Sequence, residues 1–238
     1  MLEEIRPHLI ELRKRLVICV GTLLFAFIIC FNFWEYILQW VTNPLNQALA
    51  KNGHIIATRM GEQFFSAMLI SFFGALIISL PVIFYQFWAF VAPGLYENEK
   101  KLVVPFVVSA TLMFVAGALF AYYFVFPIGF AFLVNFGGET VQAMVSIQEY
   151  LDFFVKLMIG FGVSFELPVI TFLLASLGLV DDRQLIEFFR YAIVIIFIIA
   201  ALLTPPDVVS QLLMAIPLTI LYGISILIAR IVNPAEKN

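Results

Sequence analysis

Apolar residues fill this chain in long blocks, and the gaps between its charged residues mark out its elements. No charge falls within 16–34, a stretch about as long as a helix needs to cross a hydrocarbon core. The next uncharged block, Gln63 to Tyr96, is too long for one simple crossing, so the span is placed at about 67–92, ended by Ala92, Pro93 and Gly94. A third block, Leu102 to Gly138, holds a span at 103–127, beyond which Pro127, Gly129, Gly137 and Gly138 predict irregular structure. The fourth span, 153–177, contains Pro168. Two shorter ones follow: 190–203, ending at Thr204-Pro205-Pro206-Asp207, and 211–229, with Pro217 inside it.

The pattern predicts an all-α polytopic membrane protein, a single integral membrane domain over 1–238 with six transmembrane helices, the last two short. The last pair has an alternative as one re-entrant hairpin, because about thirteen apolar residues is short for a crossing. Charge bias favours six. With the N-terminus inside, the inner segments 1–15, 93–102, 178–189 and 230–238, together with the inner end of the span 190–203, carry Arg6, Arg13, Lys14, Arg15, Lys100, Lys101, Arg183, Arg190, Arg230 and Lys237. The outer loops 35–66, 128–152 and 204–210 carry only Lys51 and Arg59, which is the asymmetry of the positive-inside rule and places both termini in the cytoplasm.

Composition agrees: 63% of residues are hydrophobic, 12% are charged, and the mean hydropathy is +1.05, outside the range of soluble domains. The net charge of −3 says little by itself, but no basic domain is present to follow a phosphate backbone, so nucleic acid is not expected as a partner. Cys19 and Cys30 lie about 16 Å apart along one helix, too far for a disulfide, and read as buried thiols. The basic N-terminal segment precedes a long apolar run with no small-residue cleavage site, so it reads as a retained span and not as a cleaved signal. Trp34, Tyr36 and Trp40 fit an interfacial aromatic belt. From Trp34 to Ala50, Ile37, Leu38, Val41 and Leu45 stand against Gln39, Asn43 and Asn46, predicting a short amphipathic helix that Pro44 would kink or end.

Glu166 is the costly residue. It lies inside the apolar stretch Leu157 to Leu179, where an ionised carboxylate costs at least about 2.5–3.5 kcal/mol. Such a group either faces a wet or protein-lined interior and works there, or is protonated and ties helices together by hydrogen bonds. The adjoining Pro168 frees backbone groups that also need a polar setting. Gln211, in the last span, is a similar half-buried amide in need of a partner.

Catalytic chemistry is thin. No Walker loop, HExxH or Gly-x-Ser-x-Gly elbow occurs, His8 and His54 fall on opposite sides of the membrane, and neither cofactor nor metal is expected. Gly160, Gly162 and Ser164, and likewise Gly117 with Ala121, read as close helix packing. What remains are inner-face carboxylates: Glu11 beside Arg13, Lys14 and Arg15, and Glu97 with Glu99 beside Lys100 and Lys101. Carboxylates grip guanidinium groups through bidentate hydrogen bonds that an ammonium reproduces poorly. Ordinary solvated pairing with neighbouring lysines is the plain alternative for each.

Four stretches in order, His8-Leu-Ile-Glu-Leu-Arg-Lys-Arg-Leu16, Pro81 to Phe90 continuing through Pro93-Gly-Leu-Tyr-Glu-Asn-Glu99, Phe161-Gly-Val-Ser-Phe-Glu-Leu-Pro168, and Leu203-Thr-Pro-Pro-Asp-Val-Val-Ser-Gln211, resemble TatC, the large membrane subunit of the twin-arginine translocase. The resemblance implies a cup-shaped six-helix receptor in the inner (cytoplasmic) membrane. It would bind signal peptides bearing paired arginines and support export of folded proteins driven by the protonmotive force. It places Glu11, Arg13, Glu97 and Glu99 at the peptide site, Glu99 foremost, with Arg13 orienting the carboxylates and Gln86 and Phe90 lining the site. It implies TatA and TatB as partners around Tyr191 to Gln211, with Pro205, Pro206 and Asp207 at the docking loop, homo-oligomers within a larger complex, and a lipid surround. By the same resemblance Glu166 faces the concave side. A proton-coupled secondary transporter using Glu166 is the alternative, against which stands the lack of an inverted repeat. A membrane-embedded enzyme lacks a nucleophile, base and metal-ligand cluster.

Overall fold

The structure, a computed structural model, describes residues 2–49, 53–91, 103–135 and 143–235. Its elements are α1 (Leu2–Asn32), α2 (Trp34–Leu49), β1 (Gly53–Ile56), α3 (Glu62–Val91), α4 (Val103–Phe120), a π-helical turn (Ala121–Val125), α5 (Phe126–Asn135), β2 (Ala143–Ser146), α6 (Ile147–Ser176), α7 (Asp182–Leu203) and α8 (Val208–Val232). Among the described residues six helical runs are long and apolar enough to cross a membrane: His8–Asn32, Glu62–Phe90, Val103–Val134, Ile147–Ser176, Asp182–Leu203 and Val208–Val232. The last two helices, 22 and 25 residues long, are shorter than α1, α3 and α6 at 31, 30 and 30.

The helix ends follow from local chemistry. Asp181 caps α7 in a reciprocal box, accepting from Gln184 N at 2.7 Å while Gln184 Oε1 accepts from Asp181 N at 3.2 Å. That box lets α7 start at Asp182 and carry two charged turns ahead of its apolar run. Ser146 caps α6 by accepting from Glu149 N. At the other end of α6, Gly178 takes φ +68 and Leu179 N returns to Leu174 O at 2.9 Å, a left-handed stop that favours glycine.

Two sequence expectations are corrected. The segment after Pro127 is not irregular: helix continues to Asn135, because a π turn at Ala121–Val125 absorbs one extra residue just before Pro127, where a missing N–H costs least. Pro44 does not end α2 either; the helix runs on to Leu49. The amphipathic reading of α2 holds, with Val41 and Leu45 fully buried and Gln39, Asn43 and Asn46 exposed.

The chain divides into two compact units, Met1–Thr42 with Arg59–Leu112, and Asn43–Thr58 with Met113–Asn238. In the first, α1 lies along α3 over a small core of Ala26, Cys30 and Ala75, with Leu23, Phe27 and Ile37 packed on it. Trp88, fully buried, stacks on Phe106 with ring centroids 4.6 Å apart. Both cysteines are free, Cys30 buried and Cys19 half-buried.

In the second unit α6 packs against α8, and α8 against α7. Tyr122, Phe126, Phe130, Tyr150 and Phe154 interlock edge to face and stacked. β1 and β2 pair as a two-stranded parallel ribbon with His54 opposite Met144 and Ile56 opposite Ser146. The glycines permit close approach, as their spacing implied. A Cβ on Gly117 would sit 2.6 Å from Phe161 O, one on Gly162 2.6 Å from the Phe114 ring, and one on Gly160 2.7 Å from Leu203 Cδ1.

Gly117→Ala is therefore expected to lower stability by about 1–3 kcal/mol, since the Phe161 carbonyl cannot rotate out of the way. Gly223→Ala, where a Cβ meets nothing within 4 Å, is expected to stay within about 0.5 kcal/mol of the parent. Thermal unfolding in detergent, read side by side, checks both; equal shifts would remove the packing explanation.

Candidate functional site

Glu11 and Arg15 are one turn apart on α1, and that spacing lets the pair close on the helix surface. Arg15 Nε donates to Glu11 Oε1 at 3.1 Å and its Nη2 meets the same oxygen. The remaining arm, Nη1, donates to Gln86 Oε1 on α3 at 3.2 Å. One guanidinium thus ties α1 to α3 and fixes the Glu11 rotamer. Both contacts fall on Oε1; Glu11 Oε2 makes no hydrogen bond among the described residues.

These residues border a cavity of about 630 Å³ lined by Ile10, Glu11, Lys14, Arg15, Ile18, Tyr85 and Gln86. Its described lining carries two cations, Lys14 and Arg15, against one carboxylate, Glu11. Half-buried Phe90 lies one turn beyond Gln86 on α3. Glu97 and Glu99 lie outside the described residues.

The structure thus brings Glu11 and Gln86 together, and it is Arg15 that holds Glu11. Arg13 is exposed and borders a different, apolar groove on α1. Arg15, Lys14 and Tyr85 were absent from the sequence-derived set. The signal that could have found Arg15 is the Glu-to-Arg i,i+4 spacing, since Arg13, two residues from Glu11, falls on another face.

In the second unit Glu166 is 6% exposed and its carboxyl approaches the Phe114 main chain, while Oε1 is buried without a hydrogen-bond partner among the described residues. Pro168 leaves the Ser164 carbonyl without its usual helical donor on the same stretch. Gln211 finds the partner a half-buried amide needs, donating from Nε2 to Phe197 O at 3.1 Å and so joining α8 to α7.

Asp207 caps α8, its Oδ1 accepting from Ser210 N at 2.7 Å, and its own N–H closes the turn on Pro205 O at 2.7 Å. Pro205 is half-buried and Pro206 exposed. Asp207 Oδ2 and Ser210 Oγ are buried without a hydrogen-bond partner among the described residues. No group of three potential metal ligands occurs among the described residues.

The family described as "Sec-independent protein translocase protein (TatC)" matches residues 7–217. The chain belongs to the TatC family. Its curated relatives include the TatC of Campylobacter jejuni, 53% identical over 240 residues that span 100% of this chain and 98% of the relative. Another is the TatC of Helicobacter pylori strain J99, 51% identical over 238 residues, 100% of this chain and 93% of the relative. A crystal structure of the twin-arginine translocase receptor TatC superposes with a TM-score of 0.86 at 37% identity, covering 94% of this chain and 99% of that one. The chain is accordingly a TatC-type, multi-pass membrane component of a protein transport system.

Within this TatC-family chain the Arg15 tether is part-exposed, so its worth is modest. A double-mutant cycle over Glu11→Gln and Arg15→Gln is expected to give a coupling of about 1 kcal/mol or less, shrinking in high salt. Unfolding midpoints at low and high ionic strength measure it; a coupling of several kcal/mol, or one indifferent to salt, would contradict the geometry.

Proposed function

We propose that this chain is the signal-peptide receptor and core subunit of a twin-arginine translocase. Paired arginines would be recognised at the α1–α3 cavity and folded cargo exported under the protonmotive force. The observation that carries the reading is Glu11, held by Arg15 through Oε1 and lining the cavity. An arriving guanidinium would engage Oε2 by charge-assisted hydrogen bonds.

Charge balance dictates the rest of the site. Two cations against one acid among the described lining residues disfavour a di-arginine ligand, so the reading calls on further carboxylates, for which Glu97 and Glu99 of the sequence segment 93–102 are the candidates, Glu99 first in rank. Arg15 and Gln86 position Glu11, Phe90 offers an apolar wall, and Arg13 stands at the edge of the same helix turn.

The membrane is the inner membrane, and both termini are cytoplasmic, because the lysine and arginine excess lies on the segments that contain them. TatA and TatB are the proposed partners, docking along α7 and the outer turn at Pro205, Pro206 and Asp207. Val194, Ile198 and Leu202 of α7 are exposed and free to be covered. Copies of this chain assemble within that larger complex. Glu166, apolar-walled and with one oxygen unsatisfied, would accept water or a polar group of a partner helix. The same atom favours the alternative of proton-coupled solute transport, which uptake by the purified chain in liposomes would reveal.

Binding of a fluorescent Arg-Arg signal peptide to the purified protein is expected to weaken about tenfold or more when the peptide carries Lys-Lys, and similarly for Glu99→Ala or Glu11→Gln. Fluorescence anisotropy reads it. Equal binding of both peptides, or none by the parent protein, would sink the receptor reading.

A further inference from the structure

The ribbon of β1 and β2 brings together two side chains that the chain separates by α3, α4 and α5. In a parallel ladder, partner residues lie about 4.8 Å apart and their side chains share one face. His54 is the partner of Met144 in that register, so an imidazole and a thioether stand side by side. Both are open to solvent: His54 is exposed, and Met144 is 64% exposed. The imidazole makes no hydrogen bond or ion pair with any described residue. The next pair on the same face is Ile56, half-buried, and Ser146, buried and engaged in capping α6. What this face offers to solvent is therefore chiefly His54 and Met144.

Donor chemistry selects the ligand. A thioether is a soft donor that suits monovalent copper, whereas magnesium, calcium and manganese take oxygen ligands. Zinc asks for four ligands drawn from thiolate, imidazole and carboxylate, and no group of three such residues occurs among the described residues. Monovalent copper has a filled d shell and accepts two donors in a near-linear arrangement. Metal bonds of about 2.0 Å to nitrogen and about 2.3 Å to sulfur set the donors roughly 4 Å apart, close to one strand spacing. Binding forms one metal–nitrogen and one metal–sulfur bond, displaces solvent from the ion, and moves no electron. The strands have four residues each, and a two-stranded pair of that size is marginal in water. A metal bonded to both strands would hold it closed.

We propose that His54 and Met144, set side by side by the parallel register of β1 and β2, form a binding site for monovalent copper. In the topology proposed above both strands belong to outer segments, so the ion arrives from outside. The site does not rest on the receptor reading: its residues belong to one compact unit, and Glu11 and Gln86 to the other.

The test titrates the purified full chain in neutral detergent with Cu(I), kept reduced by ascorbate without oxygen, against bicinchoninate, whose coloured complex reports the ion the protein does not hold. His54→Ala and Met144→Leu are each expected to weaken binding about tenfold or more, because each leaves a single donor. Should His54→Ala fold poorly, His54→Gln removes the imidazole while keeping a polar side chain and reads the same loss. Met60→Leu, which removes an exposed thioether outside the ribbon, leaves the affinity unchanged, and so does Cys19→Ala. X-ray absorption of the loaded protein shows both a nitrogen and a sulfur neighbour, and zinc does not compete. Loading raises the exchange protection of the ribbon amides in the parent and in neither ribbon variant, a readout that general stability does not move. Glu11→Gln keeps copper and loses the Arg-Arg peptide, so failure of the receptor reading is told apart from failure of this one. Affinity unchanged in either ribbon variant overturns the proposal. So does a shell of sulfur alone, loss of binding in Cys19→Ala or Met60→Leu, or zinc bound as tightly as copper.

Discussion

Main-chain N–H and C=O groups in hydrocarbon find no water, so each must be satisfied within the protein, and every other feature of this chain accommodates that demand. Helix answers it for nearly all of the spanning length. Helices alone, however, gain little from one another in lipid unless their backbones come close. In the second unit Gly117, Gly160 and Gly162 remove the side chains that would hold neighbours apart, and the Phe114 ring occupies the space opposite Gly162. The aromatic cluster of Tyr122, Phe126, Tyr150 and Phe154 fills what remains, and its ring geometry fixes register where apolar surface alone would not.

Polar groups then stand out as placed. Arg15 spends its donors on two helices, making α1 and α3 a unit and presenting Glu11 in one orientation. A carboxylate so anchored loses little rotamer freedom when a ligand arrives. Glu166 is the opposite case, with a buried oxygen lacking any partner among the described residues. One acid is held by a guanidinium at the edge of a cavity; the other is kept in an apolar wall where only water, a proton or a polar side chain can relieve it.

Much of the architecture could be read from the chain. Charge gaps located the six helices because a membrane excludes charge from a helix-long window, and the Trp34 to Leu49 pattern showed which side of α2 is covered. The continuation past Pro127 was hidden, because proline and glycine announce a break in water-soluble helices and nothing local announces a π turn. At the site, residue types pointed to Glu11 and Gln86, but the choice between Arg13 and Arg15 depends on angle around the helix, which a list of motifs discards. Asp207 caps α8, and the Pro-Pro-Asp order ahead of it places a turn before the helix start.

The parallel ribbon of β1 and β2 bears on the order in which the protein is built. His54 and Met144 are neighbours in space yet separated by α3, α4 and α5 in the chain. Local helices form early, and contacts across long sequence distances form late. During synthesis the first strand therefore waits, unpaired, until the helical segments between have been inserted and the chain has returned to the same side. Closure of the ribbon then follows insertion of the helices between its strands, and protection of its amides from exchange would time that step.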